Sequence, residues 1–192
     1  MNYKSMITTI MVVLSATCVA GADTTMVYTP DPADLWELDH HSVYTWGIDV
    51  PLAPGESIIS AELSFSNIRN WDDNDNVLYI HQLDWAELGA VDIHDDNQYG
   101  GDYFENVYAD EHTHLVTYEN LPSTPQDLTY TFTADDLTVL NSYLADGRTA
   151  LGLDPDCHYY NCGVQLTLQT PEPASLTLLG VGALLWLRRR MW

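Results

Sequence analysis

The first feature of this sequence that suggests chemistry is a run of oxygen-bearing side chains: Asp72, Asp73, Asn74, Asp75 and Asn76. Ca²⁺ is a hard cation that takes about six to eight oxygen ligands, so the run predicts a calcium site with Asp72, Asp73 and Asp75 as its acidic ligands. The run is not an EF-hand, because Val77 stands where that loop needs glycine. The alternative is a solvated polar turn, since Asp and Asn are common in turns.

A second oxygen-rich stretch lies further along the chain, at residues 154–161. Asp154, Asp156 and Asn161 would place their oxygens around one ion if the chain turns between two strands there, which predicts a second Ca²⁺ site. The alternative is a hairpin loop that Pro155 fixes without any ion.

The same stretch contains Cys157 and Cys162, the cysteines that remain if a signal peptide is removed. In an oxidising compartment two such cysteines predict a disulfide, which would staple the loop. A zinc site through Cys157, His158 and Cys162 is the alternative, although its spacing is unusual and a fourth ligand is missing.

Histidine is the other metal-binding residue type, and the seven histidines stand at positions 40, 41, 81, 94, 112, 114 and 158. His112 and His114 would place both rings on one face of a strand, whereas the adjacent His40 and His41 would not share a face. The sequence has no nucleophile elbow, no H-E-x-x-H motif and no P-loop, so we expect a protein that is not an enzyme.

The segments between these stretches alternate polar and apolar residues, which is the pattern of half-buried strands. Ala61, Leu63 and Phe65, for example, would share one face of a strand. Strands are predicted at residues 41–50, 57–68, 77–83, 114–118, 128–133, 149–153 and 163–169. Short, evenly spaced strands predict an all-β fold, an antiparallel β-sandwich of jelly-roll type.

One segment has a helical pattern instead. Thr133 and Asp136 form a capping-box pattern, after which leucines recur at helical spacing. Gly147 suits the end of a helix. We therefore predict one short helix at residues 135–145, placed over an open end of the sandwich.

The charge of the chain is strongly acidic, with six Lys and Arg against 28 Asp and Glu. Lys4 and the three arginines at 188–190 lie near the ends, which leaves Arg69 and Arg148 within residues 23–170. Every acid except Glu172 lies in that central part, so its formal charge is about −25. Such a surface repels nucleic acid and anionic lipid, and we expect neither as a partner.

The N-terminus has the order of a secretory signal peptide. Lys4 gives the positive start, residues 6–16 are apolar, and Ala20 and Ala22 form an A-x-A cleavage site. We therefore predict a signal peptide at residues 1–22. A lipoprotein acylated at Cys18 is the alternative, but the residues before it lack the leucine that such signals carry.

The C-terminus has three parts in a fixed order. Pro171, Glu172 and Pro173 come first, an uncharged apolar run follows at residues 176–187, and Arg188, Arg189 and Arg190 come after it. Prolines interrupt regular structure, and the apolar run is short for a membrane span of about 20 residues. By the positive-inside rule the arginines would stay in the cytoplasm. The alternative is a buried C-terminal helix of the core.

This tail resembles the PEP-CTERM sorting signal of Gram-negative bacteria, which an exosortase reads and which is also called an ice-binding protein C-terminal motif. The resemblance implies export, transient anchoring in the inner membrane, and cleavage near Pro171. The protein would then reach the cell surface or the extracellular matrix of a biofilm. Residues 150–161, followed by a strand and this tail, are similar to exported PEP-CTERM β-sandwich proteins, which implies fold and location.

The predicted organisation is a signal peptide at 1–22, an acidic β-sandwich at 23–170 and a sorting signal at 171–192. The function predicted for the β-sandwich is non-catalytic: structural, Ca²⁺-stabilised, or binding to an extracellular polysaccharide. Trp85, Tyr99 and Tyr103 are candidates for stacking on sugar rings, or else belong to the core. The alternative function is a metal-dependent hydrolase that acts on envelope glycans.

Overall fold

A computed structural model describes residues 23–94, 101–107 and 112–171. Within those ranges the chain forms strands in two antiparallel sheets and two α-helices. The strands are β1 Thr24–Tyr28, β2 Ser42–Asp49, β3 Ser60–Asn70, β4 Val77–Leu83, β5 Gly89–His94, β6 His112–Glu119, β7 Gln126–Thr131, β8 Arg148–Pro155, β9 Tyr159–Tyr160 and β10 Gly163–Thr170. The helices are α1 Tyr103–Val107 and α2 Ala134–Tyr143.

The strand order is that of a jelly roll. One sheet runs β1-β10-β3-β7, with β9 paired to the end of β3, and the other runs β5-β2-β8-β4-β6. When the edge strand β5 and the two-residue β9 are left out, the strand pairs are nested in chain order. The pairs are β1 with β10, β2 with β8, β3 with β7 and β4 with β6. The predicted antiparallel jelly-roll sandwich is confirmed.

The main core lies between the two sheets. Alternation along β3 buries Ala61, Leu63 and Phe65, while β10 contributes Leu166 and Leu168. These side chains are almost completely buried and pack with apolar residues of β2, β4 and β8. Burial of apolar area at this scale is the main favourable contribution to folding.

A second apolar cluster lies on the other face of the β2–β8 sheet, because neighbouring residues of a strand point to opposite faces. Its buried members are Val43, Leu83, Ala86, Phe104 and Ala150. Phe104 of α1 lies directly on Gly152 of β8: a β-carbon at that glycine would come within 2.5 Å of the phenyl Cζ. Because Gly152 has no side chain, the Phe104 ring can pack against β8 and hold α1 on the sheet.

The predicted helix is confirmed, with α2 beginning one residue earlier than expected and continuing as a 3₁₀ turn at Leu144–Asp146. Thr133 and Asp136 form the predicted capping box, and Gly147 ends the turn with a φ of 89°. Asn141 fixes the helix to the chain before β3, bonding the backbone N–H and C=O of Ile58 at 2.8 and 2.9 Å.

Four of the described strands and helices were not predicted from the sequence. Strand β1 pairs with β10 and has a weak burial pattern, β5 is a short edge strand that begins at Gly89, and β9 has only two residues. Helix α1 has five residues, too few for a helical period to be visible. In the described part of the chain, no helix is long and apolar enough to cross a membrane.

Candidate functional site

The predicted calcium loop is the turn between β3 and β4, and its polar groups bond mainly to one another. The Asp72 carboxylate accepts hydrogen bonds from the backbone N–H of Asn74 at 3.0 Å and from the side-chain amides of Asn70 and Asn74. Asp73 accepts from the hydroxyl of Ser123. This is the hydrogen bonding of a polar turn; calcium at Asp72, Asp73 and Asp75 stays a prediction.

Asn76, at the end of this run, is an internal anchor. It is 5 % exposed, accepts from the Leu121 N–H at 2.9 Å and donates to the Leu121 carbonyl at 3.0 Å. Its side-chain oxygen also accepts from the Tyr159 hydroxyl at 3.0 Å. The residue joins the β3–β4 turn to two other parts of the sandwich.

The second predicted calcium set is divided between two neighbourhoods. Asp154 is completely buried on β8 and accepts from the Tyr103 N–H at 2.8 Å, and Asp156 accepts from the Gly101 N–H at 3.4 Å. Both carboxylates thus meet the segment that begins α1. Asn161 instead donates to the carbonyl of Asp34 at 2.8 Å and accepts from the Gly163 N–H.

Cys157 and Cys162 are free thiols in this structure. Cys157 is half-buried against the main core, and Cys162 is exposed. Strand β9 lies between them in sequence and pairs with β3. The disulfide is not formed here, and it stays a prediction.

His112 and His114 lie beside a third histidine, His81, which the sequence did not single out. The His81 ring centroid is 5.0 Å from that of His112 and 5.2 Å from that of His114. His81 is completely buried, and its Nε2 is 2.7 Å from the Asp102 carboxylate. The pair links β4 to the start of α1.

The charges at this histidine cluster influence one another. Burial would raise the pKa of Asp102, but the hydrogen bond and charge of His81, with the N–H groups of Glu105 and Phe104, lower it. Burial lowers the pKa of His114, and the neighbouring charge of His81 adds to that effect. The cluster therefore favours an ionised Asp102 beside His81.

A left-handed turn before β2 is the most unusual backbone of the described chain. Leu35, Trp36, Glu37 and Leu38 have φ between 45° and 63°. Such a conformation costs roughly 1–2 kcal/mol for each residue other than glycine. Complete burial of Leu35 and Leu38 holds the turn, and the Tyr159 N–H donates to the Leu38 carbonyl at 3.2 Å. Backbone strain of this kind is common at functional sites.

The turn forms one wall of an open pocket of about 350 Å³. The lining residues are Trp36, Asp39, His41, Ser42, Tyr44 and Asp92. Trp36 is 43 % exposed and stacks on Tyr44, with ring centroids 6.2 Å apart and planes 22° apart. Burial raises the pKa of Tyr44 to about 12, and the Asp39 N–H donates to its hydroxyl oxygen at 2.7 Å.

Asp39, at the edge of this pocket, is surrounded by histidines. The ring of His41 lies 2.8 Å from one carboxylate oxygen, and His40 and His158 lie 3.5 and 3.6 Å away. Burial would raise the pKa of Asp39, but the hydrogen bonds from His41 and the charges of His40 and His158 lower it. A carboxylate among imidazoles can bind a metal ion or accept hydrogen bonds from hydroxyl groups.

The expectation that His40 and His41 do not share a face is wrong. It assumed strand geometry, but β2 begins at Ser42, and the two rings lie 3.9 Å apart in the turn before it. His158 comes from the loop before β9, far away in sequence. No local pattern links that loop to Asp39, so only the fold brings them together.

Other predicted residues lie at the surface or outside the described ranges. Trp85 is 62 % exposed in the β4–β5 loop, and Tyr103 is half-buried on α1. Pro171 is exposed directly after β10. The signal peptide with Cys18, Ala20 and Ala22 lies outside the described residues. So do Tyr99, Glu172, Pro173, the apolar run and Arg188–Arg190.

Comparison with known protein families gives a match at the C-terminus. Residues 169–190 match the PEP-CTERM protein-sorting motif, which confirms the resemblance of the tail. The motif marks an exported protein that an exosortase processes, with membrane-associated sorting to the cell surface. The match does not extend into the rest of the sandwich. No curated protein matches the chain.

Proposed function

We propose that the jelly-roll domain is a non-catalytic module that binds a neutral polysaccharide at the surface or in the extracellular matrix of a Gram-negative bacterium. The pocket beside the left-handed turn carries the proposal, because it combines an exposed indole with two carboxylates. Exosortase cleavage near Pro171 would release the domain to that location. The tail accounts for the delivery and the pocket for the activity.

The chemistry of the pocket suits a sugar. The Trp36 ring, stacked on Tyr44, offers a flat apolar surface for the C–H face of a sugar ring. Asp39 and Asp92 line the same pocket and can accept hydrogen bonds from sugar hydroxyls. An apolar wall with a few polar groups is typical of small-ligand sites.

The charge of the domain narrows the class of glycan. A domain with a formal charge of about −25 repels uronic acids and sulfated sugars at low ionic strength. A neutral polysaccharide avoids that repulsion. We therefore expect neutral hexose polymers to bind more tightly than acidic ones.

Affinity electrophoresis of the secreted protein in gels that contain neutral or acidic polysaccharides tests this function. We expect retardation by a neutral polymer and at least a tenfold loss of affinity in Trp36→Ala. Trp85→Ala is the matched control, because Trp85 is also an exposed indole but lies outside the pocket. No binding to any glycan at millimolar Ca²⁺ would leave a purely structural role.

A metal-dependent hydrolase of envelope glycans is the second candidate. The observation that favours it is that His81 lies between His112 and Asp102: its ring centroid is 5.0 Å from that of His112, and its Nε2 is 2.7 Å from the Asp102 carboxylate. An assay for new reducing ends from envelope glycans, with added Zn²⁺ or Ca²⁺, tests it. Turnover that His112→Ala abolishes would favour the hydrolase over the binding module.

A further inference from the structure

We propose that Asp39, His40 and His158 form a binding site for a divalent transition-metal ion, with Zn²⁺ as the probe. The site is independent of the sorting motif and goes beyond glycan binding, although Asp39 also lines the pocket. Among the described residues these three side chains each offer one ligand atom, and all three atoms lie within 4.8 Å of one another.

The spacing of the ligand atoms is close to that of a tetrahedral site. His40 Nδ1 lies 3.5 Å from one oxygen of Asp39, and His158 Nδ1 lies 3.6 Å from the other. Two ligands bound to zinc at about 2.0–2.2 Å in tetrahedral geometry stand roughly 3.3–3.6 Å apart. Because the three ligand atoms lie within 4.8 Å of one another, small movements of these side chains would bring them to that spacing.

Hydrogen bonding does not account for this arrangement. Distances of 3.5 and 3.6 Å are longer than an N–H···O hydrogen bond, which is about 2.7–3.2 Å. His40 Nδ1 is shielded from solvent and has no hydrogen-bond partner in the described structure. A buried polar atom of this kind calls for a partner, and a metal ion would provide one.

Neighbouring groups orient the proposed ligands. The backbone N–H of His41 donates to Asp39 Oδ1 at 3.0 Å, and the His41 ring lies 2.8 Å from the same oxygen. His158 Nε2 faces the Glu37 carboxylate at 3.9 Å, on the side of the ring away from Nδ1. That distance is too long for a hydrogen bond, so Glu37 would have to move towards Nε2 to give the carboxylate support that is common behind ligating histidines.

The backbone holds the two contributing loops together. The Tyr159 N–H donates to the Leu38 carbonyl at 3.2 Å, so the residues next to His158 and Asp39 are bonded directly. The His158 carbonyl accepts from the Trp71 N–H at 3.0 Å. The left-handed turn at 35–38 thus delivers Asp39 and His40 to a fixed loop, and the site is largely formed before an ion binds.

The donor set selects the class of ion. Two imidazoles and one carboxylate suit Zn²⁺ and its neighbours, whereas Ca²⁺ and Mg²⁺ prefer oxygen ligands alone. The three ligands are all half-buried, and a fourth position would be open to water or to a ligand oxygen. We therefore expect a site of one ion that Ca²⁺ does not occupy.

Calorimetric titration of Zn²⁺ into the secreted protein, stripped with EDTA and free of glycan, tests the site. We expect one Zn²⁺ per chain, with at least tenfold weaker binding in His158→Ala and in His40→Gln. His114→Ala is the matched control, because it removes an exposed histidine from the separate cluster beside His81. The zinc affinity of this control should equal the wild-type value, also in millimolar Ca²⁺.

Three results would overturn the proposal. Zinc binding that His158→Ala and His40→Gln leave unchanged is one, and the absence of binding at one ion per chain is another. The third is loss of zinc binding in Cys157→Ser/Cys162→Ser, which would assign the ion to the thiols. Because His40 is 40 % exposed, His40→Gln should keep its wild-type melting temperature and report on the ion alone. Glycan binding is measured separately, so either proposal can fail without the other.

Discussion

Asn76 shows how one buried polar residue can join distant parts of this sandwich. Its side chain contacts Leu121 through both its oxygen and its nitrogen and also receives the Tyr159 hydroxyl. Burial raises the pKa of Tyr159, which keeps that hydroxyl protonated as a donor. Water does not reach these buried groups, so it cannot replace the hydrogen bonds when they are lost.

Replacement of Asn76 by Ala should therefore destabilise the fold strongly. Leu121 and Tyr159 would keep buried polar groups without a partner, at a cost of roughly 2–4 kcal/mol in the free energy of unfolding. Urea unfolding measures this loss. Asn74→Ala, in the exposed part of the same turn, is the control and should cost less than about 1 kcal/mol. Equal losses would show that Asn76 is not the anchor.

At the scale of elements, helix α2 depends on its first turn. The Asp136 carboxylate accepts from the Thr133 N–H and the Tyr130 hydroxyl, each at 2.7 Å, and from the Thr133 hydroxyl at 2.8 Å. Burial would raise the pKa of Asp136, but the hydrogen bonds from Tyr130 and Thr133 lower it. The ionised form is therefore the one that holds the helix to β7.

This lowered pKa predicts how the cap responds to acid. Stability from Asp136 should be fully present above the pKa of an unfolded Asp, about 3.9, and should be lost as the pH falls through the lower folded pKa. In urea unfolding from pH 7 to pH 2, the difference between wild type and Asp136→Asn should therefore shrink below about pH 4.

Asp135→Asn is the matched control for the cap, because Asp135 is an exposed acid in the same helical turn. It should change stability little at any pH. A difference between wild type and Asp136→Asn that stays constant down to pH 2 would contradict the assignment of the acid response to the capping carboxylate.

For the molecule as a whole, the acidic charge is the dominant feature. A formal charge of about −25 on residues 23–170 creates repulsion that any bound cation relieves. The turn at 72–76 and the end of β8 at 154–156 concentrate that charge. Stability should therefore rise with salt, and with Ca²⁺ beyond the effect of salt alone if an oxygen site exists.

Thermal melts of the secreted protein separate these two effects. Ca²⁺ at ten times its Kd should add about 1.4 kcal/mol and raise Tm by a few degrees. Mg²⁺ at equal ionic strength should do less, and EDTA should reverse the gain. Asp73→Ala and Asp156→Ala, measured separately, show which of the two acidic segments binds Ca²⁺. Neither variant removes the fully buried Asp154. Equal Tm values in Ca²⁺ and Mg²⁺ would show that the acidic residues form a solvated surface without a specific Ca²⁺ site.

Sorting also acts on the whole molecule. Pro171 is exposed directly after β10, the last described strand. Cleavage there would leave all of the described strands intact. Mass spectrometry of the protein released to the medium should find a C-terminus near Glu172, whereas the form in an exosortase-deficient strain should keep Arg188–Arg190. Released protein with those arginines would contradict the cleavage.

The sequence by itself determined the features that depend on short stretches of neighbouring residues. Alternation along segments such as 61–65 predicted the strands, Thr133 and Asp136 predicted the helix cap, and the order of the last residues predicted the sorting motif. Each signal depends on neighbours in sequence, because strand faces, helix caps and targeting tails are set by spacing along the chain.

The tertiary structure decided which distant side chains meet. Asp39 and His158 lie near each other only because the left-handed turn bonds to the first residue of β9. Asp154 and Asn161, close in sequence, take separate partners because β8 carries Asp154 under α1. Such convergence follows from strand pairing and loop packing over the whole sandwich, and no local residue pattern encodes it.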